Sequence, residues 1–348
     1  MEFGGSLTVP SVQELAKENL EAVPPRYQRP QEQDFVISQV DDEFSTIPVI
    51  DLNNLLSQQS GDAELQKLHL ACKEWGFFQL VNHGIETTFL EKVKLEIKEF
   101  FNLPMSEKNR FRQKSGDIEG FGQLFVVSED QKLDWSDIFI MITRPIHKRK
   151  PHLFPYLPLP LRDTLELYSQ QVKNVGMTII EHIAKVLKCK EIVELFEDDM
   201  QMFRMNYYPP CPTPENVIGL TPHSDGAGLT LLLQLTEVEG LQIKKDAKWV
   251  PIKPLPNSFI VNIGDMLEII TNGIYGSIEH RATVNCSEER ITFATFIFPK
   301  YDGKLGPAST LVTEETPLQF KTTTVEEHLK SFLGRELDGK SYIASKKI

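Results

Sequence analysis

Thr221-Pro222-His223-Ser224-Asp225 closes one apolar stretch, and Glu279-His280-Arg281-Ala282 and Arg290-Ile291-Thr292 follow it in order. Side chains two apart on a strand point to the same face, so His223 and Asp225, at a strand's end, can both reach one metal ion. His280 comes much later, leaving room for several strands before the chain returns. In Ser277–Val284 the residues Ile278, His280, Ala282 and Val284 share a face, so one imidazole stands on an otherwise apolar surface. A lone His-x-Asp is common, and a lone histidine of this kind is more often a satisfied core residue. The ordered set is far more specific. Two imidazoles and one carboxylate hold one face of a metal and leave its other positions open, which suits iron(II). A structural zinc site would be closed by four ligands, usually with cysteine. A catalytic zinc hydrolase could use the same three donors; the nearby arginine and apolar surroundings favour an oxidative iron site instead.

Arg290, Thr292, Ala294, Phe296 and Phe298 are same-parity positions of one strand. Arg290 can grip a carboxylate through two N–H bonds, and Thr292 can add another. Phe293, Ala294 and Phe296 imply that Arg290 is buried, and a buried guanidinium wants an anionic partner. An iron(II) centre that uses a 2-oxo acid has this requirement. Arg204, Asn206 and Tyr208 also share parity, on a strand expected on the opposite side of the sandwich. Asn206 and Tyr208 are expected to bond the keto-acid end, and Pro209-Pro210-Cys211-Pro212 stops that strand.

From Met202 to Phe298 short strands alternate with turn signals. Strands are expected at 202–208, 217–223, 228–235, 240–244, 248–252, 258–262, 266–270, 277–284 and 290–298. That pattern reads as a jelly roll, giving a mainly β chain with flanking helices. Residues 1–45 read as a strap and linker, with a short helix over Val12–Leu20 and a mobile stretch over Gln28–Asp42. Residues 46–200 read as a mixed α/β region. It has strands at 47–51 and 77–81, and helices over Glu64–Trp75, from about Phe89, and over Leu161–Lys188. Residues 201–300 are the jelly-roll core. Residues 301–348 form a C-terminal helical extension with a helix over Val325–Leu333.

The formal net charge of −12 and a pI near 5.3 argue against nucleic acid or an anionic membrane as partner. Cys72, Cys189, Cys211 and Cys286 are far apart and form no metal or redox pair, the usage of a reduced intracellular protein. The first ten residues lack the basic start and apolar run of a signal peptide, and no stretch is apolar for long enough to span a membrane. The expected location is the cytosol, the expected partner a small molecule, and the expected state a monomer.

These residues resemble the plant iron(II)- and 2-oxoglutarate-dependent dioxygenases over almost the whole chain. The likeness is carried by Ile47-Pro48-Val49-Ile50-Asp51, by Trp75-Gly76-Phe77-Phe78-Gln79-Leu80-Val81-Asn82-His83-Gly84, by Asn206-Tyr207-Tyr208-Pro209-Pro210-Cys211-Pro212, and by Gly219 to Asp225. Asn272-Gly273-Ile274-Tyr275 and Glu279-His280-Arg281-Ala282 complete it. Within that family the chain is most similar to the senescence-related group that includes the morphinan O-demethylases of poppy. Ser11-Val12-Gln13-Glu14-Leu15-Ala16, Leu68 to Trp75 and Lys150-Pro151-His152-Leu153-Phe154-Pro155 carry this closer likeness. The resemblance implies a double-stranded β-helix core of the isopenicillin N synthase-like fold.

It further implies that His223, Asp225 and His280 ligate catalytic iron(II), and that Arg290 with Thr292 binds the far carboxylate of 2-oxoglutarate, with Asn206 and Tyr208 near its keto acid. Phe296, Phe298, Ile138 and Ile140 would line the substrate pocket, and His83 would be structural. Dioxygen would be the second co-substrate and ascorbate the reductant. The implied reaction is hydroxylation or O-demethylation of a mostly apolar polycyclic molecule, an alkaloid, flavonoid or similar. Desaturation or ring closure at the same iron is the alternative. Relatives that use the same ligands without 2-oxoglutarate, and a non-catalytic small-molecule carrier, are rival readings. Two positions depart from the family: Thr292 stands where serine is usual, and Gly276 where Arg or Lys is usual. The glycine is expected to widen or loosen the pocket mouth.

Overall fold

A computed structural model describes residues 6–18, 22–29, 47–114 and 116–348. Twelve strands build two sheets. They are β1 (Val49–Asp51), β2 (Phe77–Val81), β3 (Gly120–Gly122), β4 (Asp137–Arg144), β5 (Met200–Tyr208), β6 (Leu220–His223), β7 (Leu229–Gln234), β8 (Leu241–Lys245), β9 (Lys248–Pro251), β10 (Phe259–Ile263), β11 (His280–Ala282) and β12 (Arg290–Phe298). The large sheet runs β1-β2-β10-β7-β12-β5-β4-β3 and the small one β6-β11-β8-β9. This is the expected jelly roll, and all but one of the expected core strands are present.

The exception is 266–270, which is a helix, Asp265–Ile270. Every residue of that helix is buried, so the sequence shows neither a period of two nor of 3.6, and a short apolar run is ambiguous. Its fold is decided by hydrogen bonds: Asp265 N–H donates to Asp225 O, and Glu268 N–H to Gly264 O. A second expectation also fails. β5 lies beside β12 in the same sheet, antiparallel to it, not across the sandwich. Tyr208 stands opposite Arg290, Asn206 opposite Thr292, and Arg204 opposite Ala294.

β12 divides its side chains by parity. Ile291, Phe293 and Ile297 face outward to the helix Leu161–Leu187, where Tyr168 stacks on Phe293 with ring centres 4.9 Å apart. The helix comes so close that a Cβ on Gly176 would lie 2.1 Å from Ile297 Cδ1. The other parity, Arg290 to Phe298, faces the space between the sheets. With both faces covered, β12 and β5 are buried along almost their whole length, which is why they read as continuous apolar runs.

The N-terminal segment packs on the body. Ser11 caps the helix Val12–Ala16, shorter than expected, and the buried Asp137 carboxylate holds that helix start. It accepts from Ser11 Oγ at 2.5 Å, Val12 N at 2.9 Å and Gln13 N at 3.0 Å. The linker expected over Gln28–Asp42 falls, from residue 30 on, outside the described residues. The C-terminal helix Val325–Leu333 is as expected and starts with a capping box from Thr324 and Glu327. No helix among the described residues is long and apolar enough to cross a membrane.

On that last helix His328 is fully buried against Tyr342, and neither ring nitrogen has a hydrogen-bond partner. Burial holds its pKa down to about 3, whereas an unfolded histidine titrates near 6.5. The unfolded chain therefore takes up a proton that the folded chain refuses. Stability from this site is complete above about pH 6.5 and is lost as pH falls towards 3. His328→Leu is expected to reduce the loss of stability between pH 7 and pH 4.5 by about 2 kcal/mol. Urea melts at the two pH values measure this, and an unchanged pH dependence would contradict it.

Candidate functional site

His223 ends β6, Asp225 follows just beyond it, and His280 opens β11, its pairing partner. One donor atom from each lies within 4.8 Å of the others. His223 Nε2 is 3.5 Å and His280 Nε2 3.6 Å from Asp225 Oδ1. The opposite side of each group is already engaged. His223 Nδ1 lies 2.8 Å from Thr221 O, and His280 Nδ1 lies 3.0 Å from Ile278 O. In each ring the proton is thereby fixed on Nδ1 and the lone pair of Nε2 is left for a metal. Asp225 Oδ2 accepts from Thr230 Oγ1 at 2.7 Å and Asn262 Nδ2 at 2.8 Å, leaving Oδ1 between the imidazoles.

The electrostatics suit a cation. Burial alone would raise the Asp225 carboxyl, but His280, His223 and the Asn262 amide together hold it well below the usual carboxylate range. Burial, with His223 beside it, brings His280 down to about 4. At neutral pH Asp225 is thus a carboxylate and His280 a neutral imidazole, the protonation states that ligation needs. No cysteine takes part, and the three donors occupy one side only, so the donor set fits iron(II) with open positions.

The same cavity is lined by Arg290, Thr292, Asn206, Tyr208, Arg204 and Phe296. Arg290 is buried, its guanidinium 5.2 Å from the centre of the Tyr208 ring. Its polar contacts are a 3.4 Å bond to Gln234 Oε1 and the Tyr208 hydroxyl, while Nε has no partner. No carboxylate among the described residues forms an ion pair with it. A buried cation without an anion is unfavourable, so the position calls for an anionic ligand. Asn206 is more occupied than its expected role suggests. Its Oδ1 accepts from Arg204 Nε at 2.6 Å and its Nδ2 donates to Thr292 Oγ1 at 3.0 Å. Asn206 is thus a bridge between two neighbouring groups on the cavity wall.

A second cavity adjoins the first through Arg204, His223, Asp225 and Phe296. Otherwise its wall is mostly apolar, with Ile140, Phe298, Phe125 and the helical residues Leu329 and Phe332. Phe296, Phe298 and Ile140 therefore share the wall of one cavity. Ile138 is buried opposite Asn206 and lines neither cavity. His83 bonds Asn257 O and the Ile85 amide, away from the site.

Gly276 does not lie at a pocket mouth. It lines neither cavity, and a Cβ there would face Glu268 Oε2 at 4.0 Å. The expected widening is therefore not seen at either cavity. Sequence reasoning gave no role to Thr230, Asn262, Gln234 or Arg204. A signal was present: each is a polar residue in a mostly apolar strand. Thr230 and Asn262 are direct cross-strand neighbours of β7 and β10, a relation that only the register reveals. Asn262→Ala removes one of the two bonds that hold Asp225 Oδ2 and is expected to weaken iron(II) binding about 10–100-fold. Anaerobic metal titration measures this, and wild-type affinity would contradict it.

Residues 200–299 match the 2OG-Fe(II) oxygenase superfamily, and residues 47–160 match the N-terminal region of the non-haem dioxygenases in morphine synthesis. Codeine O-demethylase of Papaver somniferum is 55% identical over 351 residues, covering 99% of this chain and 97% of that one. Oxoglutarate-dependent flavonoid 7-O-demethylase 1 of Ocimum basilicum is 52% identical, covering 98% and 91%. Among solved structures, JOX2 in complex with 2OG, Fe and JA superposes with a TM-score of 0.90 at 33% identity, covering 98% of both chains.

Proposed function

The chain belongs to the 2OG-Fe(II) oxygenase superfamily, and on that premise we propose that it removes an O-methyl group from an apolar, polycyclic, oxygen-bearing metabolite. As a 2-oxoglutarate-dependent dioxygenase it is an oxidoreductase, with iron(II), 2-oxoglutarate and dioxygen as its cofactor and co-substrates. The observation that carries the residue assignment is the convergence of three free donor atoms with a buried, uncompensated guanidinium in one cavity.

His223, Asp225 and His280 hold the iron in this reading. Bound there, iron(II) supplies the oxidising chemistry, in which 2-oxoglutarate and dioxygen yield succinate and CO2 while a substrate C–H is oxidised. Arg290 binds the far carboxylate of the co-substrate, and Gln234 and Tyr208 orient the guanidinium. Thr292 sits beside it, its hydroxyl fixed by Asn206. Phe296, Phe298, Ile140, Leu329 and Phe332 exclude water and present flat apolar surface to the substrate. Oxidation at an O-methyl carbon leaves a hemiacetal that releases formaldehyde; oxidation at a ring carbon gives hydroxylation. The relatives named as O-demethylases of alkaloids and of a flavonoid favour the first outcome.

Arg204 narrows the substrate class. It stands at the junction of the two cavities, buried, bonded through Nε to Asn206, and no carboxylate among the described residues forms an ion pair with it. A substrate oxygen, whether carbonyl, phenol or carboxylate, is the partner its remaining N–H groups would take. Loss of such a charge-assisted bond costs about 1.5–3 kcal/mol. Arg204→Met is thus expected to raise KM for an oxygen-bearing substrate at least about tenfold. The thiols are all free, which fits a cytoplasmic enzyme, and nothing in the proposed site calls for a second subunit.

The decisive assay supplies the purified chain with iron(II), ascorbate, 2-oxoglutarate and a panel of methoxylated flavonoids and morphinans. Substrate-dependent succinate with matching formaldehyde is expected. His223→Ala is expected to abolish it, and Arg290→Met to raise the 2-oxoglutarate requirement at least tenfold. Succinate without formaldehyde in the presence of a consumed substrate would favour hydroxylation or desaturation. Activity that survives His223→Ala would overturn the site.

A further inference from the structure

The separation of the two metal-site histidines is not fixed by the sheet that carries them. β6 is an edge strand, and its ladder with β11 is short: His280 pairs with His223 and Ala282 with Leu220, with a register shift between. A ladder that slips within one step is a weak ruler. The free side of β6 is covered instead by the end of the chain. Gly339 pairs in parallel with His223, donates from its N–H to Pro222 O at 2.9 Å, and accepts from Ser224 N at 3.3 Å. Its φ of +48° is a left-handed conformation that glycine adopts without strain.

The next residue reaches the other histidine's segment. Lys340 Nζ donates to Ser277 O at 2.5 Å and to Glu268 Oε2 at 2.9 Å. Glu268 Oε2 also accepts from Ser277 N at 2.7 Å. Ser277 Oγ lies 2.8 Å from Glu268 Oε2 and 2.6 Å from Asp265 Oδ1. Asp265 N–H in turn donates to Asp225 O at 2.7 Å. A closed circuit thus runs behind the three donors: tail to His223's strand, tail to the turn before His280, and that turn through Asp265 to Asp225. Asp265 and Glu268 are both buried, and Lys340 is the cation that forms an ion pair there.

We propose that Lys340, with Gly339 beside it, is a positioning residue of the metal centre: it ties the segments bearing His223, Asp225 and His280 together at the spacing that iron requires. The inference rests on those three residues being the ligands. It also explains how this chain manages without a basic side chain at Gly276, since the Glu268 carboxylate that such a side chain would face is met by Lys340 from the tail.

The test measures iron(II) affinity by anaerobic titration, and the melting of the metal-free protein, for wild type, Lys340→Met and Lys340→Arg. The ligand assignment is tested separately by the same titration of His223→Ala, which is expected to lose iron(II) binding. Lys340→Met is expected to lower iron affinity about tenfold or more while the metal-free protein melts within a few degrees of wild type, and Lys340→Arg to recover most of the affinity. In the double variant Lys340→Met/Glu268→Gln the Glu268 carboxylate is no longer stranded without its cation, so folding is less burdened and the same loss of affinity is expected. Wild-type iron affinity in either Met variant would overturn the proposal. So would a fall in affinity that only tracks a fall in metal-free stability and that Lys340→Arg does not reverse.

Discussion

A buried carboxylate held on one side only is the constraint around which the structure is organised. Asp225 Oδ2 is satisfied by Thr230 and Asn262, whereas Oδ1 faces two imidazoles whose far nitrogens are already committed to backbone carbonyls. With its proton on Nδ1, a neutral imidazole offers Oδ1 no donor. A divalent cation satisfies all three groups at once. The jelly roll supplies what this needs: β7 and β10 bring Thr230 and Asn262 to one level, while β6 and β11 bring the histidines from the other sheet.

Parity along β12 then separates chemistry from support. One set of side chains is packed under a long helix and cannot move without opening the core. The other set runs from a guanidinium, through a hydroxyl and a methyl, to two phenyl rings. A polar end and an apolar end thus lie on a single strand that faces the cavity holding His223, Asp225 and His280. β5 repeats the order beside it, Tyr208, Asn206, Arg204, and hydrogen bonds cross between the two strands at Asn206 and Thr292. Arg204 ends the polar series where the apolar cavity begins, so the boundary between the two cavities carries a charge of its own.

Much of this was legible in the sequence, for definable reasons. His-x-Asp, the later histidine and Arg-x-Thr are local patterns whose geometry follows from strand pleating, and the structure brings all five residues to one cavity. Most strand ends were readable to within about two residues, because turns punctuate them, but β6 and β11 are shorter than the expected 217–223 and 277–284. The helix Asp265–Ile270 was not, since complete burial erases periodicity. The adjacency of β5 and β12 was not, because strand order depends on which long connections cross the sandwich. The groups that orient Asp225 were invisible for the same reason: Asn262 and Thr230 are far apart in the chain and meet only through register. The closing tail was the least legible, because Gly339 and Lys340 lie in a short irregular segment and act through one backbone pairing and one ion pair.

The central claim is tested most directly by anomalous diffraction at the iron edge from crystals grown without oxygen in iron(II) and 2-oxoglutarate. One iron peak is expected within bonding distance of His223 Nε2, Asp225 Oδ1 and His280 Nε2, with the far carboxylate of the diacid on the Arg290 guanidinium. Iron at another position, or a diacid that leaves Arg290 without an anion, would contradict the account.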